Sequence, residues 1–232
     1  CATAFPGRTE DYFRRSDTMQ RYFSHVIESE RQLFGPIRFL PDNVRHMALR
    51  FGDLNFVDPE TVKEALDADL VVVFGTSYIK GALANALIEA KALNIHMGIA
   101  PYYRGSSCNF WASYDGRFEL VGATIHRLSK GLDTGNVLFH VLPAKKQTNM
   151  FLYTMSAARS ATRALVEAAG NGSLFKMEPV AQDRSLELRY TRGAEFTDAL
   201  AEEYMNRSNA DLENAVIGEA AALAGLIRPV WI

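Results

Sequence analysis

Cysteine is scarce in this 232-residue chain: Cys1 and Cys108 are the only two, too few for a disulfide scaffold, and their spacing suggests neither a metal site nor a redox pair. Two thiols suit a reducing, cytoplasmic setting. Long apolar runs are also missing; a run such as Leu70–Phe74 falls far short of the ~20 residues needed to cross a bilayer. No secretory signal precedes the charged residues Arg8 and Glu10, so no membrane partner is expected. Nor does either sign of charge dominate: Lys+Arg 25 against Asp+Glu 27 leaves a net charge of −2. That balance argues against a bulk electrostatic grip on nucleic acid. Arginines are frequent before residue 51, but acids are interleaved among them and the stretch reads as a solvated face. Internal repeats and low-complexity linkers are absent, and residue 1 is not Met.

What is present is average for a globular protein, 48% hydrophobic, 11% aromatic and 22% charged, which excludes a disordered tail or a collagen-like repeat. The spacing of apolar residues predicts a helix over 10–34, closed by Gly35-Pro36. Asp58-Pro59 predicts a capped short helix to about Leu66. Residues 68–75 form an unbroken β-branched run ending in Gly, the pattern of a strand covered on both faces. A helix over 81–92 and a short strand over 93–96 follow, so a parallel βαβ unit is expected. Further expectations are a helix over 107–114, strands over 119–128 and 137–142, a helix capped by Thr148 and stopped at 170–172, an extended stretch over 180–191, and helix from 195 to about 226. The 148–169 and 196–226 helices could pair two copies into a homodimer. The break at 170–172 divides the chain into an α/β domain over 1–170 and a C-terminal extension over 171–232. Nothing before residue 68 reads as the first parallel strand of an open sheet, and with no initiator Met an N-terminal βα segment is expected to be missing.

Ligands of open α/β sheets bind at the carboxyl ends of strands. Here those ends carry Gly75-Thr-Ser, then Asn94 with His96, then the turn Lys130 to Gly135. Asn94 and His96 lie two apart, so an extended strand points them to one face. An amide beside an imidazole suits a carbonyl that develops negative charge during acyl transfer, and Asp133 is the best-placed carboxylate to orient the imidazole. On residue types alone, catalysis and simple satisfaction of backbone groups weigh evenly. No G-x-S-x-G elbow accompanies them, which favours direct transfer over an acyl-enzyme.

The sequence from Asn94-Ile-His96 through Pro101 to Arg104-Gly105, with Gly122-Ala-Thr-Ile-His126 and Gly131-Leu-Asp133-Thr-Gly135, closely resembles the 10-formyltetrahydrofolate-dependent formyltransferases. The resemblance runs from about Asp69 to Leu142, with a weaker echo at 188–192. It implies a Rossmann-like α/β fold with a mostly parallel sheet, lacking its N-terminal strand and bearing a small C-terminal extension. It implies catalytic roles for Asn94, His96 and Asp133, with 10-formyltetrahydrofolate as co-substrate and no metal. Pterin contacts are implied for the backbone at Tyr78, Ile79 and Lys80, and at Ser129, Lys130, Gly131 and Leu132. The expected acceptor is a small-molecule primary amine, above all an amino sugar nucleotide. Methionyl-tRNA, hydrolysis to formate and a silent folate-binding module are the alternatives; chain length and charge balance count against tRNA.

Arg104, Tyr102 and Asn109 are candidate acceptor contacts, Arg104 as an anion clamp. Trp111 reads as core, and His126, inside an apolar strand, reads as a structural histidine. His25, His46 and His140 show no grouping that would hold a metal.

Overall fold

Ser16 opens the first described helix, α1 (Asp17–Phe34), its hydroxyl accepting from Met19 N at 3.2 Å. A computed structural model describes residues 15–36, 41–50, 52–145, 147–207, 212–213 and 225–232. The part of the first expected helix over 10–14 therefore lies outside the described residues. Asp58 caps a helical stretch with Pro59 at its start, as expected, and that stretch ends in the short helix α2 (Lys63–Leu66).

The βαβ unit forms. Strand β1 (Val72–Phe74) lies parallel to β2 (Leu93–His96), and α3 (Gly81–Glu89) joins them. Leu83 and Leu87 of α3 cluster with Val73. The strand is nonetheless not covered on both faces: Val72 and Phe74 remain 40% and 46% exposed. Only the inner side of the β-branched run meets apolar partners, and among the described residues β1 is the edge of its sheet.

Strand β3 (Tyr103–Gly105) and helix α4 (Cys108–Tyr114) follow, then β4 (Ala123–Arg127) and β5 (Val137–Leu142). The expected strand over 119–128 is shorter because a helical turn occupies Phe118–Leu120. Helix α5 (Met150–Gly170) is capped by Asn149, not Thr148; the Asn149 carboxamide accepts from Leu152 N at 2.9 Å. Strand β6 (Arg189–Thr191), helix α6 (Asp198–Asn206) and strand β7 (Val230–Trp231) complete the described elements. Of the stretch expected to be extended from 180, only β6 is regular strand, together with a bridge from Val180 to Val137. Most of the expected helix beyond 207 lies outside the described residues.

The main sheet runs β1-β2-β4-β5-β7 and is mixed rather than mostly parallel. β4 is antiparallel to both β2 and β5. For the β4–β5 pair the cause is connection length: parallel neighbours need a crossover of about a dozen residues or more, and the turn over 128–136 holds no helix. β7 returns parallel to β5, and β6 pairs parallel with β3 in a separate two-stranded sheet. The described residues after 170 thus pack into the α/β body.

Helix α5 and the apolar residues of the central strands build one core, including Leu93, Ile125, Leu138, Phe139 and Leu165. On another side Tyr22 of α1 meets Phe110, Phe151 and Phe196 edge-on, with ring centroids 6.0, 5.2 and 4.9 Å away. The buried residues of α5 face these two cores within one copy of the chain.

Candidate active site

Alternation along β2 divides its side chains. Leu93 and Ile95 enter the core, while Asn94 and His96 face the other way. The antiparallel register sets His126 of β4 opposite Asn94 and Thr124 opposite His96. Thr124 is fully buried and ties down the chain just past His96: its hydroxyl donates to Gly98 O at 2.6 Å and accepts from Ala100 N at 2.8 Å. Gly98 permits a close approach there. A Cβ on it would lie 2.4 Å from Cys108 Cβ and 2.9 Å from His96 Nε2.

Asp133 comes from the β4–β5 turn and completes the cluster. Its Oδ1 lies 3.3 Å from His96 Nδ1, and both side chains are more than nine-tenths buried. Its Oδ2 accepts from Gly105 N at 3.3 Å. The other ring nitrogen of His96 faces a second acceptor, Tyr103 O, at 3.2 Å. An imidazole between two acceptors is best served by a proton on each nitrogen. Burial pulls the His96 pKa down, but the Cys108 side chain and the Asp133 carboxylate outweigh it and hold it well above 6.5. Burial would raise Asp133; hydrogen bonding and charge from His96 instead keep its pKa below the usual 3.8.

His126 has the opposite character. Burial presses its pKa down to about 4, so the ring is neutral. Its Nδ1 donates to Arg127 O at 2.8 Å, which leaves Nε2 to accept from Asn94 Nδ2 at 3.1 Å. This fixes which end of the Asn94 carboxamide is nitrogen and leaves its second N–H for the site. His126 is thus a buried histidine satisfied at both nitrogens, in line with its structural reading, and Asn94 is the partner that reading did not name. The signal for it is strand register, which composition does not reveal. His140 on β5 is likewise held near 4 by burial; its Nε2 donates to Ala100 O at 2.7 Å and its Nδ1 accepts from Ile227 N at 2.9 Å.

Asn94, His96, His126 and Asp133 line a cavity of about 520 Å³. Its walls combine apolar groups (Val73, Ile79, Ala84, Ile95, Met97, Leu128) with the loops over 75–79 and 129–133, and the Ser77 hydroxyl is buried without a partner. Tyr78, Ile79, Ser129, Gly131 and Leu132 are at this cavity, as the expected pterin contacts should be, whereas Lys80 and Lys130 are not among its lining residues. Several of the loop's backbone groups are already engaged. Asn55 bonds Tyr78 O and Lys80 N, and the Tyr78 hydroxyl donates to Lys130 O at 2.7 Å.

None of the three expected acceptor contacts is among the residues lining the cavity. Arg104 is 3% exposed and pairs with Glu187 at 2.5 Å while donating to Leu132 O at 3.0 Å. Tyr102 is buried, its carbonyl accepting from Leu188 and Arg189 N. Asn109 is buried and accepts from Gly122 N at 3.0 Å. The pairing of β3 with β6 covers this stretch. Ser106 and Ser107 line the cavity instead.

The catalytic-type cluster and its cavity lie within residues 54–168, which match the family described as Formyl transferase. Residues 54–168 form a formyl transferase domain. Relatives include the methionyl-tRNA formyltransferase of Synechococcus sp. (strain JA-3-3Ab), 33% identical over 132 residues, covering 55% of this chain and 40% of that protein. The methionyl-tRNA formyltransferase of Pseudoalteromonas translucida (strain TAC 125) is 28% identical over 193 residues, 72% of this chain and 58% of that protein. The chain thus spans 40% and 58% of the length of these two relatives. Among solved structures, a sugar N-formyltransferase from Shewanella sp FDAARGOS_354 superposes with a TM-score of 0.49 at 15% identity, over 78% of this chain and 75% of that one. The formyltransferase PseJ from Anoxybacillus kamchatkensis gives 0.46 at 20% identity, over 66% and 79%. Among the described residues of this chain, no helix is long and apolar enough to cross a membrane.

Proposed function

We propose that this chain transfers a formyl group from 10-formyltetrahydrofolate to a primary amine of a small molecule, with an amino sugar nucleotide as the acceptor class. The observation that carries the reading is the buried His96–Asp133 pair, 3.3 Å apart, at the wall of a cavity that Asn94 also lines. The cavity suits the donor: apolar walls fit a flat ring system, and the unpartnered Ser77 hydroxyl offers a polar contact for it. When bound, the donor would supply a formyl carbonyl for the amine to attack; the bond from that carbon to the folate nitrogen breaks as the new one forms, and the proton lost by the amine ends on the departing folate nitrogen.

The chain's own residues then have divided tasks. Asn94 presents the N–H that His126 leaves free, and His96 presents an imidazolium; both stabilise negative charge developing on a carbonyl oxygen. Asp133 keeps the imidazolium charged and oriented, and its remaining acceptor capacity receives a proton through water. His126 acts through Asn94 and is a positioning residue. The buried surroundings strengthen each of these interactions relative to water.

A second reading is methionyl-tRNA as acceptor, favoured by the names of the relatives quoted above. The net charge of −2 does not favour a polyanionic partner. Incubation with 10-formyltetrahydrofolate and either a panel of aminated sugar nucleotides or methionyl-tRNA separates the two, with formylated product read by mass spectrometry. Formylated sugar is the expected product. Rapid formate release with no amine present would replace both readings with hydrolysis, and donor binding without turnover would leave a silent module.

A further inference from the structure

Asp133 sits in the left-handed region at φ 51°, on a turn whose backbone has to be held in place for its carboxylate to stay on His96. We infer that Gln182, which lies outside the matched domain, is the positioning residue that holds this turn. Its Nε2 donates to Asp133 O at 2.9 Å and to Gly135 O at 2.8 Å, bridging the two ends of the turn. The orientation of the carboxamide is forced, because reversal would set its oxygen against two carbonyl oxygens. Its Oε1 is buried with no partner, so both of its hydrogen bonds go to this turn. The turn lies close against β4 at Gly135, where a Cβ would lie 1.7 Å from Arg127 O. Arg104 braces the same turn at Leu132 O and is itself anchored on Glu187. Residues 182–187 are thereby part of the site's framework, although sequence composition sets them apart as an extension.

The inference extends the formyl-transfer reading, and its kinetic arm rests on that reading. Loss of the two donors from Gln182 lets the Asp133 carboxylate drift from His96, and small displacements of a reacting group lower rates by about 10- to 100-fold. The groups facing His96 are Asp133 from the turn, Cys108 from α4, and His126 and His140 from the adjacent strands. Of these, Gln182 touches only the backbone of Asp133, so a change in His96 titration after its replacement reports the His96–Asp133 contact.

The test uses the full chain with isotope-labelled histidine. The His96 ring is titrated by NMR in the wild type, Gln182→Met, Gln182→Leu and Asp133→Asn, and kcat is measured alongside with 10-formyltetrahydrofolate and a productive amine. The expected result is a downward shift of the His96 titration in Asp133→Asn and a smaller shift of the same sign in both Gln182 variants. Their kcat falls about 10- to 100-fold, with donor affinity and circular dichroism unchanged. Wild-type titration in both Gln182 variants, with a shifted Asp133→Asn, overturns the role of Gln182 and leaves the formyl-transfer reading standing. No shift in Asp133→Asn removes the His96–Asp133 coupling and the inference with it. Shifted Gln182 variants in a wild type with no formyl turnover overturn the function and leave the positioning role. If Gln182→Met fails to fold, Gln182→Leu, which is uncharged, removes both donors and has a similar volume, decides the outcome.

Discussion

Replacing Arg104 distinguishes a ligand clamp from an internal brace. Arg104 is almost wholly buried, and its guanidinium makes a charge-assisted bond to Glu187 at 2.5 Å and a bond to Leu132 O at 3.0 Å. It also lies over the Tyr190 ring, 5.5 Å from the centroid. In Arg104→Met the stem volume is kept and the charge is lost. Hydrogen bonds to charged groups contribute about 1.5–3 kcal/mol each, and stranding the partner of a fully buried ion pair costs about 3–5 kcal/mol. Glu187 retains 29% of its side-chain exposure, so water recovers part of that loss. A destabilisation of about 3 kcal/mol is the balanced expectation. The assay is urea unfolding of wild type, Arg104→Met, Glu187→Gln and the double variant. A coupling energy of about 1–3 kcal/mol between the two sites is expected, and the acceptor KM should move less than kcat. An unchanged midpoint together with a tenfold higher acceptor KM would refute the brace and restore Arg104 as a substrate clamp.

Other expectations concern charge and burial. In Asp133→Asn the pH at which activity is lost on the alkaline side should move down, because His96, raised in the wild type, loses its carboxylate; an unmoved alkaline limb contradicts the pairing. His126 and His140 both titrate near 4 in the fold against an ordinary 6.5, so the unfolded chain takes up protons first as pH falls. Their contribution is complete above 6.5 and is withdrawn between 6.5 and about 4, about 2 kcal/mol each by pH 5. His96 adds no further change below 6.5, since its raised pKa favours the fold throughout that range. Equal unfolding free energies at pH 6.5 and pH 5, a window in which His96 adds almost no change, would count against neutral burial of the pair. Thr124→Val strands Gly98 O and Ala100 N in a fully buried site; a loss of about 2–4 kcal/mol in denaturant unfolding is expected, and a loss below half a kcal/mol would contradict it.

Legibility in the sequence followed the range of the physics. The βαβ unit, the helix ending at Gly170 and the pairing of Asn94 with His96 on one strand face all arise from local periodicity, and all appear in the structure. Asp133 could be placed beside His96 because short turns at strand ends gather polar groups. What local pattern could not supply was the direction of neighbouring strands and the return of distant segments. β4 runs against β2, which sets His126 against Asn94. β6 comes back from residue 189 to pair with β3, and this buries Arg104 and Tyr102 where the sequence suggests a rim. Gln182 gave no signal at all, because a lone glutamine in an irregular stretch acquires meaning only from the two carbonyls it meets.

The most direct measurement is single-turnover formyl transfer from 10-formyltetrahydrofolate to a productive amine, compared between wild type and His96→Ala at matched donor occupancy. A loss of at least ~10²-fold in the transfer rate, with donor binding retained, is the expected result. Equal rates in the two proteins would show that the buried imidazole–carboxylate pair at the cavity wall is not the chemical centre.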